Sequence, residues 1–421
     1  MIDYHKASLA LWMVAMLALS VPMVLVPHPG TGSDFLVFRS AALALERGGN
    51  PYHLSALDAA IRSTVPGVHH ILPAYAFVYP VWSLPLLFSW STLVSLQVGY
   101  YLWFGINLVS VILAGRWLSE ALGWKTKRWV VMTVALLPAA LITYIVGQVD
   151  GILLGLVTVA ILGITHERPL LAGVAVGLAV ALKVDVCWPL AFFVPLAALP
   201  NWKQAIHLLA AELGTGVICL GVPMLWFPWW FTSWLHRLVG FSHGVAAKQP
   251  DLAGVDGLIR LLPPELAPGS FAGNIGIAAV LFAGLFGMGW WGLRLYRGRS
   301  LANASLQHVA VAVTVPMSLW LLVSPYAHTD DTLLLIPLGL WLLSDAGGHP
   351  LRMKVITLFC LLVPPTYTLV AASWGLLDHA YSFTALGTAG LLALTLWALR
   401  FPGSHRLEFA PATLRSVGEG N

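Results

Sequence analysis

The chain has 421 residues, of which 58% are hydrophobic and only 10% charged, and its mean hydropathy is +0.82. Soluble domains carry roughly a quarter charged residues and avoid large exposed apolar patches. A single soluble domain, a disordered chain, a collagen and a coiled coil are therefore excluded, which leaves a polytopic membrane protein. The formal charge of +4 does not point to nucleic acid, because Lys and Arg sit in short clusters between apolar runs, as topology signals do.

The first apolar run, 9–26, follows a short polar start and reads as a transmembrane helix, since no small-residue cleavage site succeeds it. Roughly 20 apolar residues cross a bilayer, and shorter runs cross by tilting or thinning it. On that basis further spans are expected near 94–116, 129–146, 150–165, 168–183, 186–200, 205–226, 272–295, 306–325, 329–345, 353–374 and 381–399. The apolar run 75–91 holds Pro80 and Pro85 and is expected to be re-entrant or surface-lying. Residues 27–74, polar and irregular, and 227–271, expected to lie along the membrane surface, break the pattern as two long loops. The tryptophans at the start of the second favour the membrane–water interface. The whole reads as one all-α integral-membrane domain over 1–400, with about twelve spans, and a cytoplasmic tail over 401–421.

Orientation follows from the basic clusters. Residues 116–128, 294–299 and 352–354 and the tail after Arg400 are rich in Lys and Arg, which places them in the cytoplasm. Both long loops then fall on the opposite face, and both termini lie inside. So placed, nearly every unusual polar residue reaches the extracytoplasmic face.

Asp34 stands just beyond the first span, beside apolar Phe35 and Leu36. An ionisable group at that depth is a candidate for chemistry. Ser33 or Asp34 also suits the cap of a helix through 35–47, and the two readings do not exclude each other. Lys183 either snorkels to water or neutralises a phosphate whose lipid tail stays in the bilayer. Gln148 and Asp150 occupy a tight hairpin between two spans, where an amide can bind a sugar hydroxyl. Tyr52, Tyr75 and Tyr79 offer aromatic rims or simple packing. His328 precedes Asp330 and Asp331, a pairing that invites a metal. Adjacent positions cannot all face one ion on a helix, so a phosphate contact or proton relay suits His328 better. No nucleotide-binding glycine loop and no HExxH or GxSxG motif occurs in usable context; an energetic group must therefore arrive in another form, such as a lipid-linked substrate.

Six motifs occur in order: Gly32-Ser33-Asp34-Phe35; Gly48-Gly49-Asn50-Pro51-Tyr52; Tyr75-Ala76-Phe77-Val78-Tyr79-Pro80; Gly147-Gln148-Val149-Asp150; Ala181-Leu182-Lys183; and Ser324-Pro325 followed by His328. This series, over about 31–331, resembles glycosyltransferase family 87 of the GT-C superfamily. That family includes polyprenol-phosphate-mannose-dependent mannosyltransferases acting on phosphatidylinositol mannosides, and arabinofuranosyltransferases of mycobacterial cell walls. The resemblance implies a GT-C-like fold with its active site on the extracytoplasmic side and an acidic residue in the first external loop, here Asp34. It implies an inverting transfer from a polyprenyl-phosphate sugar, mannose or arabinose, to a lipid or glycan acceptor. Asp34 would then be the general base, with Lys183, His328 and Arg260 on the donor phosphate and Gln148, Asp150, Tyr52, Tyr75, Tyr79 and Asp331 around the substrate. No cofactor is expected; a divalent metal is compatible but not required. The rival class is a multi-span transporter or lipid flippase, which would show inverted repeats and midplane binding residues. A scaffold that has lost activity is a third.

Overall fold

A computed structural model describes residues 14–18, 32–65, 76–124, 127–199, 201–244, 271–297, 306–324, 327–344, 349–373 and 384–400. Among them the regular elements are all helical. In chain order they are α1 (Ser33–Glu46), α2 (Leu54–Thr64), a π-helical turn (Leu84–Phe88) running into Ser89–Thr92, α3 (Leu96–Ala121), α4 (Lys127–Ala135) and α5 (Pro138–Val146). There follow α6 (Asp150–Thr165), α7 (Pro169–Leu182), α8 (Val184–Ala198), α9 (Trp202–Gly221) with a 3-10 turn (Val222–Leu225), and α10 (Trp230–Gly244). The last part holds α11 (Phe271–Arg297), α12 (Leu306–Val323), a 3-10 turn (Asp330–Leu335), α13 (Ile336–Leu343), α14 (Leu351–Ser373) and α15 (Thr384–Arg400).

Four helical stretches are long and apolar enough to cross a bilayer: Leu96–Ala121, Trp202–Leu225, Ile275–Arg294 and Leu351–Ala371. The pair α4–α5 makes a fifth if it is counted as one broken span. Shorter apolar helices, α6, α7, α8, α12 and α15, fill the rest. The protein is thus an all-helical integral membrane protein, and a count near twelve would enlist those shorter helices as well. The expected span 9–26 lies outside the described residues except for 14–18, which are helical. Most of the second loop, 245–270, and the tail 401–421 also lie outside them.

Two expectations change. The span 129–146 is bent by 51° between Ala135 and Pro138; a proline there has no N–H to continue the ladder and starts a new helix instead. Within 27–74 the described residues 32–65 are not irregular, since 33–46 and 54–64 are helical. Their apolar side chains Phe35, Phe38, Leu57 and Ile61 are buried, and burial away from water stabilises each by about 1.5–3 kcal/mol. The second long loop likewise opens with a helix, α10, whose Trp230 and Trp234 pack inward while Trp226 before it is exposed.

Helix pairs close up where side chains are small. A Cβ on Gly173 of α7 would lie 2.2 Å from the Leu208 carbonyl oxygen of α9, and one on Gly177 would lie 2.8 Å from that of Glu212. Small residues at such crossings let backbones meet, which is how helices associate where lipid removes the hydrophobic drive. Packing of this kind sets α7, which ends at Leu182 with Lys183 as its cap residue, against α9.

Candidate functional site

The site is built from ends of helices. Gly147 ends α5 with φ +81°, a conformation that favours glycine. Its missing side chain leaves room for α1: a Cβ there would fall 2.7 Å from Phe35 Cβ and 3.2 Å from its backbone nitrogen. The Gly32 N–H donates to the Ile145 carbonyl at 2.7 Å, and Trp103 Nε1 donates to the Gly147 carbonyl at 2.9 Å. Tyr100 Oη donates to the carbonyls of Tyr144 and Ile145 at 3.0 and 3.1 Å. These contacts dock the start of α1, and with it Asp34, beside the Gln148 hairpin.

The helix-cap reading of Ser33 and Asp34 is corrected. The cap position is Gly32, with φ 66° and no side-chain cap, and the helix begins at Ser33. Asp34 stands inside the first turn and half-buried, where a carboxylate interacts favourably with the helix dipole.

Residues 76–82 form an extended strap across the site. The Tyr52 hydroxyl donates to the Tyr79 carbonyl at 2.9 Å, Trp234 Nε1 to the Val78 carbonyl at 2.8 Å, and Trp82 Nε1 to the Ala181 carbonyl at 3.2 Å. Arg39 of α1 donates to the carbonyls of Ser91 and Val94 and holds the chain at the end of the short helix Ser89–Thr92. Burial raises the Tyr52 phenol well above its ordinary range, so it remains a neutral donor. Tyr79, packed edge-on against Phe38 with ring centroids 4.8 Å apart, sends its hydroxyl to Gln148 Oε1 at 2.7 Å. It lies within electrostatic reach of Lys183, Asp150, Asp185 and Asp34.

Lys183 is the single-residue joint between α7 and α8, and its side chain is buried at 5% exposure. Its Nζ lies 2.6 Å from Asp331 Oδ1 and 3.2 and 3.4 Å from the two oxygens of Asp150. The other oxygen of Asp331 accepts the backbone N–H of His328 at 2.7 Å. Asp150, Asp330 and Asp331 are all buried and each brings an oxygen within 4.8 Å of the others. The sequence does not anticipate that Asp150 completes a group with these two acids, while His328 stays outside it. Asp330 and Asp331 open a 3-10 turn rather than an α-helix, and the third group is Asp150, not His328. The donor set suits a hard cation, since carboxylates suit such ions. The Lys183 ammonium already lies among them and contributes the positive charge. Asp185, at the start of α8, interacts electrostatically with Lys183, and its backbone carbonyl accepts Trp320 Nε1 at 2.5 Å.

The structure thus brings together Asp34, Tyr79, Gln148, Asp150, Lys183 and Asp331, with Tyr52 supporting the strap from behind. His328 is half-buried beside them. Tyr75 and Arg260 lie outside the described residues. Reading the sequence alone undervalued Asp330 and Asp185, although both, like Lys183, are charges at the edge of an apolar run.

A membrane protein with charged and amide groups gathered at one end of its helices is the class these features define, and a sugar-transferring family lies within it. The chain belongs to glycosyltransferase family 87, whose family model matches residues 77–325. That stretch includes Tyr79, Gln148, Asp150 and Lys183, while Asp34, His328 and Asp331 fall outside it. The chain is also similar to an alpha-(1->3)-arabinofuranosyltransferase of Corynebacterium glutamicum, 28% identical over 182 residues. The similarity spans 40% of this chain and 40% of that relative.

Proposed function

We propose that this protein is a membrane glycosyltransferase that moves a sugar, arabinose or mannose, from a polyprenyl-phosphate donor to a lipid or glycan acceptor on the extracytoplasmic face. Family membership over 77–325 carries this reading, and the partial likeness to an arabinofuranosyltransferase supports a pentose among the donors.

In this reading Asp34 takes the proton from an acceptor hydroxyl as its oxygen attacks the anomeric carbon. The bond from that carbon to the phosphate oxygen breaks, the configuration inverts, and polyprenyl phosphate leaves. Positioned base catalysis contributes about 10²–10⁴-fold. Charge growing on the leaving phosphate calls for cations and donors, a task assigned to His328, Arg260 and Lys183. Lys183 answers it by exchanging one of its carboxylate partners for the phosphate. Gln148, Asp150, Tyr79 and Asp331 surround the sugar phosphate, with Tyr52 and Tyr75 at the rim. A metal is not required, because a monophosphate can be neutralised by side chains alone. The basic segments near 116–128 and 294–299 support a site outside and both termini inside.

The test is to incubate purified protein with a panel of polyprenyl-phosphate sugars and membrane lipid extract, and to identify any new glycolipid by mass spectrometry. A new glycolipid from one donor establishes activity and names the sugar. No product from any donor, with the protein folded, removes the assignment.

A further inference from the structure

Gln148 is held in one orientation by two donors. The Val149 backbone N–H, which can only donate, lies 3.3 Å from Gln148 Oε1, and the Tyr79 hydroxyl donates to the same oxygen at 2.7 Å. The carbonyl end of the amide is therefore committed. Its Nε2, with two N–H groups, has no hydrogen-bond partner among the described residues, and Gln148 is half-buried. The polarity is set from behind, since Tyr79 is fixed by the Tyr52 bond to its own carbonyl and by Phe38 against its ring.

A neutral N–H₂ presented here has a chemical meaning. Around Tyr79 stand the carboxylates of Asp34, Asp150 and Asp185 with the ammonium of Lys183, and that ammonium is already engaged by Asp150 and Asp331. An anionic ligand entering such surroundings needs hydrogen-bond donors that carry no competing acceptor toward it. A sugar hydroxyl, which donates or accepts as required, would not need the amide locked one way. A phosphoryl oxygen, which only accepts, would.

We infer that Gln148 donates through Nε2 to a phosphoryl oxygen of the bound lipid phosphate, and that Tyr79 is the positioning residue that fixes this polarity. The inference deepens the proposed function and rests on its assignment of the site to a lipid-phosphate donor.

The test uses the full-length protein in detergent and reads binding, not turnover, with decaprenyl monophosphate as probe and decaprenol as its uncharged control. Gln148→Met removes the donor at similar size, and Tyr79→Phe frees the amide while keeping the ring packing. Each should weaken phosphate binding by about three- to tenfold, the worth of one hydrogen bond, and leave decaprenol unaffected. Combined, the two should be no worse than Gln148→Met alone, because both remove one interaction. Gln148→Glu keeps an oxygen for Val149 and Tyr79 but turns a second acceptor on the phosphate, so it should be the most damaging, beyond tenfold. Tolerance of Gln148→Glu, an unaffected Tyr79→Phe, or no phosphate-dependent binding by the wild type would each overturn the inference. Binding that follows the expected pattern, with no sugar transferred from any donor, leaves it standing and fails the enzymatic reading alone.

Discussion

The ammonium of Lys183 and the carboxylate of Asp331 meet at 2.6 Å across 148 positions of sequence, both almost completely buried. Lys183 joins two helices end to end, and Asp331 opens the turn before another, so this contact ties the middle of the chain to its later part. Asp150, at the start of α6, completes the grip from the other side. The same ions sit against Tyr79, which reaches Gln148, beside which Asp34 is docked. Fold and site are therefore not separable here: what holds the helix ends together is what surrounds the substrate in the proposed reaction.

Lys183→Met should cost stability as well as activity. Removing one partner of a buried ion pair leaves charges uncompensated, a loss of about 3–5 kcal/mol. The melting temperature in detergent should fall clearly, and Asp331→Asn added to Lys183→Met should restore part of it without restoring transfer. An unchanged melting temperature for the single variant would mean that the lysine turns to solvent.

Asp34→Asn separates base from structure. Because Gly32 holds the cap position, asparagine at 34 does not remove a helix cap, and the helix-dipole interaction it gives up is about 0.3–1 kcal/mol. Turnover should nevertheless drop by at least about 10²-fold with donor affinity little changed. Near-normal turnover with normal melting would leave Asp34 without a catalytic role.

Gly147→Ala tests the docking of α1. A left-handed residue with a Cβ costs roughly 1–2 kcal/mol, and that Cβ would also press on Phe35 at 2.7 Å. Both the melting temperature and the rate should fall, the rate further than the stability loss alone accounts for, because Asp34 moves with α1. If Gly147→Ala matches wild type in both, the close approach of α1 to the hairpin is not needed.

Orientation is tested with a membrane-impermeant thiol reagent. Ser242→Cys should label in intact cells and Thr126→Cys should not, while native Cys187, Cys219 and Cys360 are buried and should stay silent. Labelling in the reverse pattern would place the site in the cytoplasm and exclude the extracytoplasmic reaction.

By itself the sequence determined the class of protein and most helix boundaries. Low charge and long apolar runs require membrane helices, since a backbone in lipid must satisfy its hydrogen bonds internally. Breaks such as Pro138 and Gly147 are local backbone chemistry that can be read from one residue and its neighbours, although the bend before Pro138 was missed because the apolar run continues through it. The order of short motifs likewise marked the family and pointed to Asp34, Gln148 and Lys183. Tertiary structure alone decided their partners. Hydropathy ranks a lysine at the end of a span identically whether it reaches water or two carboxylates, and only the tertiary fold, which sets α7 beside α6 and the 3-10 turn at Asp330 beside α6, brings its ammonium to Asp150 and Asp331. The cap at Gly32, the meeting of Asp330 with Asp150, and the bond from Tyr79 to Gln148 are of the same kind. Each joins groups distant in the chain or turns on a backbone angle, and such contacts arise from which helix ends the fold closes together rather than from the identity of any one residue.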